Sequence, residues 1–321
     1  MAVQTASIGV KQRRRRGGLL REEALWGWLM QIPNVVGLTV FAAGPLIVSF
    51  GLIFTHYQMI TPPTPAGLDN VNELINDPLF PTVVANTAYV TLISVPLYML
   101  LGLLLALALH QKLRGIGIYR TIFFLPSQMP PVANVVLWLW LFNPDYGLAN
   151  WVLDLLHIPE STWIQDPVMA KPSLIILGIW GIGSGMIIYL AGLQNIPEEL
   201  HEAASIDGAG TLRRFFNVTL PLLSPVIFFN LIIGIIQTMQ SGFTTVYLAT
   251  SSGQHQATDS GGPDNALLLF VLYIFHKGFI DFDMGYASLL AWVLFIFILA
   301  LTIINFRLAG RWVYYEGQLR G

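Results

Sequence analysis

Six stretches of this 321-residue chain contain no Asp, Glu, Lys or Arg: 32–54, 83–109, 121–142, 172–194, 221–249 and 286–306. An α-helix rises 1.5 Å per residue, so each run exceeds the ~20 residues that cross a ~30 Å hydrocarbon core. Charged residues make up 11% of the chain, against about 25% in ordinary soluble domains, and hydrophobic residues make up 55%. A soluble protein would have to hide six such runs in one interior. The expected fold is therefore an all-α integral membrane protein with six transmembrane helices. Its parts are a basic N-terminal segment 1–31, a membrane domain 32–306 and a tail 307–321.

Net charge is only −2, yet the basic residues are sorted. With a cytoplasmic amino terminus, Lys11, Arg13, Arg14, Arg15, Arg16 and Arg21 lie inside. Six spans then place Lys112, Arg114, Arg120, Arg213, Arg214, Arg307, Arg311 and Arg320 inside as well, leaving only Lys171 and Lys277 outside. This is the positive-inside pattern, and it puts both termini and the charged loop 195–221 on the cytoplasmic side of the membrane. The Arg13–Arg16 run has rival readings as a twin-arginine signal or a nucleic-acid patch. Arg21, Glu22 and Glu23 interrupt the approach to an apolar run too long for a signal sequence, so the run reads as an anchor for the first span and implies no nucleic-acid partner. The chain has no cysteine, which excludes disulfides and thiolate metal sites, and no metal centre is expected.

Several connections carry their own signals. Segment 55–82 is Pro- and Asn-rich and reads as a short outer connection. Leu125-Pro-Ser-Gln-Met-Pro-Pro131 predicts a kink in the third span. Leu148, Trp151, Val152, Leu155 and Leu156 follow helical spacing over too short a length to cross, which predicts an amphipathic helix along the outer surface, with Trp151 and Trp163 at headgroup level or a docked partner above it. Ala266–Phe275 is a ten-residue apolar run expected to be an interfacial or re-entrant helix.

Between the fourth and fifth spans lies a charged island, 195–221, holding Glu198, Glu199, Glu202, Asp207, Arg213 and Arg214. Burying six charges at mid-bilayer would cost on the order of 15–20 kcal/mol, so the island belongs in water or against another protein. It reads as two short helices: Asn195 as cap with Pro197 and Glu198 completing a capping box, then Gly208 at positive φ, then Thr211 capping a second helix with Leu212, Phe215 and Phe216. Ala203 and Ala204 present low relief to a partner; folding back on the membrane is the alternative.

Glu202-Ala-Ala, Gly208 after three residues and Val218-Thr-Leu-Pro221 resemble the EAA loop of permease subunits from bacterial ATP-binding cassette importers, with Val218 where isoleucine is usual. Further stretches are similar to carbohydrate-uptake permeases of the larger maltose type: Tyr119–Pro126, Trp138–Asn143, Gly147–Asn150, Asp283–Ser288 and Arg311–Tyr315. The large outer domain of that maltose subunit has no counterpart in 55–82, and a Thr-x-Gly-Gly-Pro pattern is stretched by ten residues, 251–260. The resemblance implies a type I ABC importer permease fold whose 195–221 loop is a cytoplasmic coupling helix seated on a separate ATPase. The implied coupling residues are Glu202, Ala203, Ala204, Asp207, Gly208, Leu220 and Pro221. It further implies a bacterial-type inner membrane and, as partners, a second permease, an ATP-binding cassette ATPase dimer, an extracytoplasmic solute-binding protein and membrane lipid.

The residues themselves offer no covalent chemistry. None of the four lysines follows a glycine, so no phosphate loop exists, and ATP with its magnesium belongs on the partner ATPase; no cofactor is expected in this chain. No span holds Asp, Glu, Lys, Arg or His, with His110 just beyond the second, which argues against a proton symporter. In the fifth span Gln237, Gln240, Ser241, Thr244 and Thr245 follow one helical face, with Asn230 two turns earlier. Such a neutral polar stripe suits an uncharged polyhydroxylated solute; hydrogen bonding between permease subunits is the alternative. In the fourth span Trp180, Gly181, Gly183, Ser184 and Gly185 form either a sugar-facing wall or a close-packing patch. The expected function is thus half of the translocation path of an ATP-driven, binding-protein-dependent importer for a sugar, a di- or oligosaccharide. Alternatives are an importer for another polar solute such as a glycerophosphodiester, and a stand-alone secondary carrier.

Overall fold

The computed structural model of the protein describes residues 16–111, 114–240, 242–251 and 261–314, the side chains of 16–20 excepted. Helix α1 (Arg16–Leu38) passes through a π-helical turn, Thr39–Ala43, into α2 (Gly44–Leu52). The turn has a cause in the sequence. Pro45 has no N–H for the carbonyl one turn back, so the ladder widens and Gly44 N–H reaches the Thr39 carbonyl instead. A two-residue antiparallel pair, β1 (Thr55–His56) with β2 (Thr64–Pro65), and the short α3 (Asp69–Asn76) make the first connection.

The second span is α4 (Phe80–Leu109), unbroken across Pro96. The third is α5 (Ile116–Phe124), a 3₁₀ turn Leu125–Gln128 and α6 (Pro131–Leu141), the two arms meeting at 97°. The kink thus falls in the Pro-rich stretch and exceeds what one proline imposes, because Pro130 and Pro131 both lack donors and Met129 is held extended. Helix α7 (Leu148–Leu155) follows, then the fourth span, α8 (Ala170–Ile179) and α9 (Gly183–Gln194), bent by 48° at Trp180–Ile182. The island holds α10 (Glu198–Ile206) and α11 (Thr211–Arg214). Beyond it come α12 (Leu220–Gln240), α13 (Phe243–Ser251), α14 (Phe270–Phe275) and α15 (Met284–Trp312). Four helical runs are long and apolar enough to cross a membrane, and the two bent pairs raise the number to six, among the described residues.

Lipid tails are as apolar as leucine, so packing in such a bundle depends on close approach and on buried polar bonds. Both are present. A Cβ on Gly183 would lie 2.2 Å from the Phe123 carbonyl, so α9 touches α5 backbone to backbone; on Gly192 it would meet Leu223 at 2.7 Å on α12. Asn86, 4% exposed, donates to the Asn265 carbonyl at 2.8 Å and accepts from Lys171 Nζ at 2.9 Å.

The largest apolar core gathers Val83, Val90, Phe270, Leu272, Tyr286 and Leu290 at the end of the bundle where α14 packs. In the run Ala266–Phe275 only Phe270–Phe275 is helical, and Leu267, Leu268, Phe270 and Leu272 are at most 1% exposed, packed among α4, α13 and α15. Beside it the Asp77 carboxylate accepts from the phenols of Tyr273 and Tyr286 and from Leu79 N–H. Burial alone would push this carboxyl up; the phenol and backbone bonds outweigh it and hold the group below the ordinary Asp range. Helix α7 also differs in detail. It turns Asn150 inward, where the amide bridges the Pro144 and Ser161 carbonyls and the Trp163 indole, and its apolar stripe outward. Trp163 stacks on Phe142 at 4.8 Å and is not a free headgroup anchor.

Candidate functional site

Two places carry the residues of interest: a cavity in the bundle and the island at its end. The cavity is a half-open cleft of about 430 Å³ between α4, α8, α9, α12 and α13. Gly181, Ser184 and Gln237 line it, as do Asn230 and Thr245. Trp180, Gln240 and Thr244 do not, and Ser241 lies outside the described residues.

Helix α12 is described to Gln240 and α13 from Phe243, within one apolar run, Thr211–Ser251, long enough to span a membrane. Gln237 and Thr245, on either side of Gly242, line the same cavity, whereas Gln240 and Thr244 lie off it. The glycine patch of the fourth span is also divided by role. Gly183 serves close packing, whereas Gly181, Ser184 and Gly185 face the cavity. Trp180 is 43% exposed and meets Trp138 edge-on at 6.0 Å.

Sequence reasoning missed the contribution of α4, whose Ser94 and Tyr98 also line the cavity. The usable signal was the spacing of Thr87, Thr91, Ser94 and Tyr98, which share one helical face. Among the described residues, no Asp, Glu, Lys, Arg or His stands on the wall. The cavity offers hydroxyls and amides among apolar surface, without a fixed charge.

At the island, Gly208 has φ +78°. Its N–H bonds the Ser205 carbonyl at 3.0 Å, and Ala209 N–H bonds the Ala204 carbonyl at 2.9 Å. This is the Schellman closure, and it satisfies two carbonyls that α10 would otherwise leave open. The caps differ from expectation. Asn195 closes α9, and Pro197 takes the N-cap of α10 with no side-chain bond. Thr211 is the first residue of α11, behind Gly210. Pro197 explains the first shift: its ring fixes φ at −58° and its missing N–H needs no cap.

The second island helix is not free-standing either. It runs through a π turn, Phe215–Thr219, into α12, with Leu220 N–H reaching the Phe215 carbonyl. Pro221 forces that turn as Pro45 does in the first span. Leu220 and Pro221 therefore set the angle at which the island leaves the membrane helix. Glu202, Ala203 and Asp207 are exposed, Ala204 is half-buried, and Ile206 and Leu212 stand 87% and 75% exposed.

The sequence pattern of the binding-protein-dependent transport system inner membrane components matches residues 98–313. The chain belongs to this family. The probable ABC transporter permease protein YesP of Bacillus subtilis (strain 168) is 38% identical over 303 residues, 93% of this chain and 95% of the relative. The trehalose/maltose transport system permease protein MalF of Thermococcus litoralis is 32% identical over 284 residues, 88% and 92% of the two chains. A bacterial ABC transporter involved in import of the acidic polysaccharide alginate shares the fold. Its TM-score is 0.76 at 22% identity, covering 92% of this chain and 98% of that one. The protein is thus a multi-pass membrane permease subunit of a binding-protein-dependent importer, and the stand-alone carrier reading is set aside.

Proposed function

We propose that this chain forms half of the translocation path for an uncharged sugar, working with a second permease, an ATPase pair and an extracytoplasmic binding protein. The observation that carries the solute class is the charge-free cavity wall, where Gln237, Asn230, Ser184 and Thr245 supply hydrogen bonds. A polyhydroxylated solute satisfies such groups on both donor and acceptor sides. A glycerophosphodiester would ask for a cation, and the wall has none.

Coupling is assigned to the island. Its exposed alanines and apolar Ile206 and Leu212 suit a cleft on the ATPase, with Glu202 and Asp207 at the rim. ATP binding draws the ATPase pair together, α10 moves with it, and the π turn ahead of Pro221 passes the motion to α12 and the cavity wall. The site then alternates between two faces, biased by nucleotide on one side and by the loaded binding protein on the other. ATP and its metal act on the partner, and this chain performs no covalent step.

The test is reconstitution. The purified chain alone is expected neither to bind nor to hydrolyse ATP. The complex with its ATPase, second permease and binding protein should hydrolyse ATP faster once the binding protein carries an uncharged sugar. Turnover of nucleotide by the lone chain, or stimulation confined to anionic solutes, would overturn the reading.

A further inference from the structure

The start of α12 carries a bond that neither the cavity nor the island uses. Pro225 stands inside the helix one turn after Pro221, and without an N–H it leaves the Pro221 carbonyl unclaimed. Ser224 supplies the missing donor: its hydroxyl donates to that carbonyl at 2.6 Å. The same oxygen accepts from the backbone N–H of Tyr314 at 2.9 Å. Tyr314 is the second residue past α15, which ends at Trp312. One hydroxyl, on a residue 4% exposed, thus joins the first turns of α12 to the chain leaving α15. A hydroxyl that gives its proton to one group becomes a better acceptor for the next.

Packing seats the same joint. Phe228, Ala309 and Val313 form a buried apolar cluster of their own, with Ile232 against it. Phe228 meets the rings of Phe306 and Trp312 edge-on, at 5.2 and 6.0 Å. Position along α12 gives the joint its meaning. Ser224 lies three residues beyond Pro221, where the island ends, and six before Asn230, which stands on the cavity wall. At 1.5 Å per residue the joint is about 9 Å from that wall. A displacement of the island that travels along α12 must pass through this turn, and a turn that lacks a ladder bond is where helices bend.

We propose that Ser224 is a positioning residue for coupling. Through Tyr314 it braces the proline-weakened start of α12 against α15, so that motion of the island reaches the cavity wall instead of bending the helix. The inference rests on the island being the coupling element. Without the brace the ATPase pair still cycles, but part of each stroke is spent in bending at Pro225, and less solute crosses per ATP.

The backbone donor allows a test that leaves Ser224 in place. In the assembled importer, Tyr314→Pro removes the N–H, and Val313 is already extended (φ −88°, ψ 122°), as the residue before a proline must be. Tyr314→Ala loses the same ring but keeps the N–H. The solute is whichever of a panel of uncharged and anionic mono- and oligosaccharides drives uptake with the cognate binding protein. Uptake per ATP hydrolysed should fall about threefold to tenfold in Tyr314→Pro, the loss of one hydrogen bond, and keep its wild-type value in Tyr314→Ala. Ser224→Ala should fall at least as far, and adding Tyr314→Pro to it should lower the ratio no further. Ser224→Thr, which keeps the hydroxyl, should match wild type. Basal ATP hydrolysis, which belongs to the ATPase pair, and the yield of assembled complex should hold throughout, which separates lost coupling from lost structure. Equal ratios in Tyr314→Pro and Tyr314→Ala, additive losses in the double variant, or Ser224→Thr as uncoupled as Ser224→Ala would overturn the proposal. So would basal hydrolysis or yield falling in step with uptake. Gly208→Val tests the reading beneath it: full stimulated hydrolysis and uptake there would remove the island from coupling, and the brace with it. An inactive Gly208→Val beside a fully coupled Tyr314→Pro would remove the brace alone.

Discussion

Gly208 shows what a single residue fixes and how a substitution series separates causes. Its φ of +78° lies in the region that side chains with a Cβ enter at a penalty, yet nothing lies within 4 Å of where that Cβ would sit. Any penalty is therefore backbone strain and not collision. Asparagine enters this region most readily, alanine at about 1 kcal/mol, and a β-branched residue at about 1–3 kcal/mol. Uptake should rank Gly208→Asn above Gly208→Ala above Gly208→Val, with Val abolishing stimulation by the loaded binding protein while the membrane helices stay inserted. Equal activity of the Val and Asn variants would separate the loop from coupling. This residue was legible because glycine after a short alanine-rich helix has one dominant use. The caps were not, since Asn195 and Thr211 each suit several positions and only the conformation of Pro197 and Gly210 decides among them.

Elements were legible where charge excluded them from water and illegible where they changed direction without changing composition. The charge-free runs coincide with α4, α15 and the two bent pairs because hydropathy measures burial depth. It does not measure continuity, so the fusion of α11 to α12 left no mark in it. Nor does it say which members of the polar stripe stand on the cavity wall, and that division is testable. Gln237→Leu removes an amide from the cavity wall and should lower uptake several-fold, the loss of one or two hydrogen bonds of about 0.5–1.5 kcal/mol each. Thr244→Val, isosteric and off the wall, should stay within about twofold of wild type. Equal losses in both would contradict that division between wall and off-wall residues. The α4 hydroxyls escaped notice for the opposite reason: four polar residues spread over three turns of a strongly apolar run barely lower its hydropathy.

At the scale of the whole molecule the decisive matter is parity, because the side on which the island lies depends on whether the 97° pair crosses or turns back. Contacts with α4 answer it. Near the start of α5, Arg120 bonds the Leu109 carbonyl at the carboxyl end of α4, at 2.9 Å from Nη2. At the start of α8, Lys171 bonds Asn86 near the amino end of α4, at 2.9 Å. Those two α4 positions are separated by about 35 Å at 1.5 Å per residue, roughly the hydrocarbon thickness. The chain between them has passed from one face to the other, so the bent pair counts as a crossing. The six-span arrangement then agrees with the sorting of the arginines, which a re-entrant third span would place on both sides. Single-cysteine labelling on this cysteine-free chain tests it. Asn76→Cys on α3 and Ser205→Cys on α10 are both exposed sites. With six crossings, an impermeant maleimide should label Asn76→Cys in intact cells and Ser205→Cys only after the inner membrane is opened. Labelling of both in intact cells would mean that α5 and α6 turn back, that the island faces outward, and that no cytoplasmic ATPase can reach it.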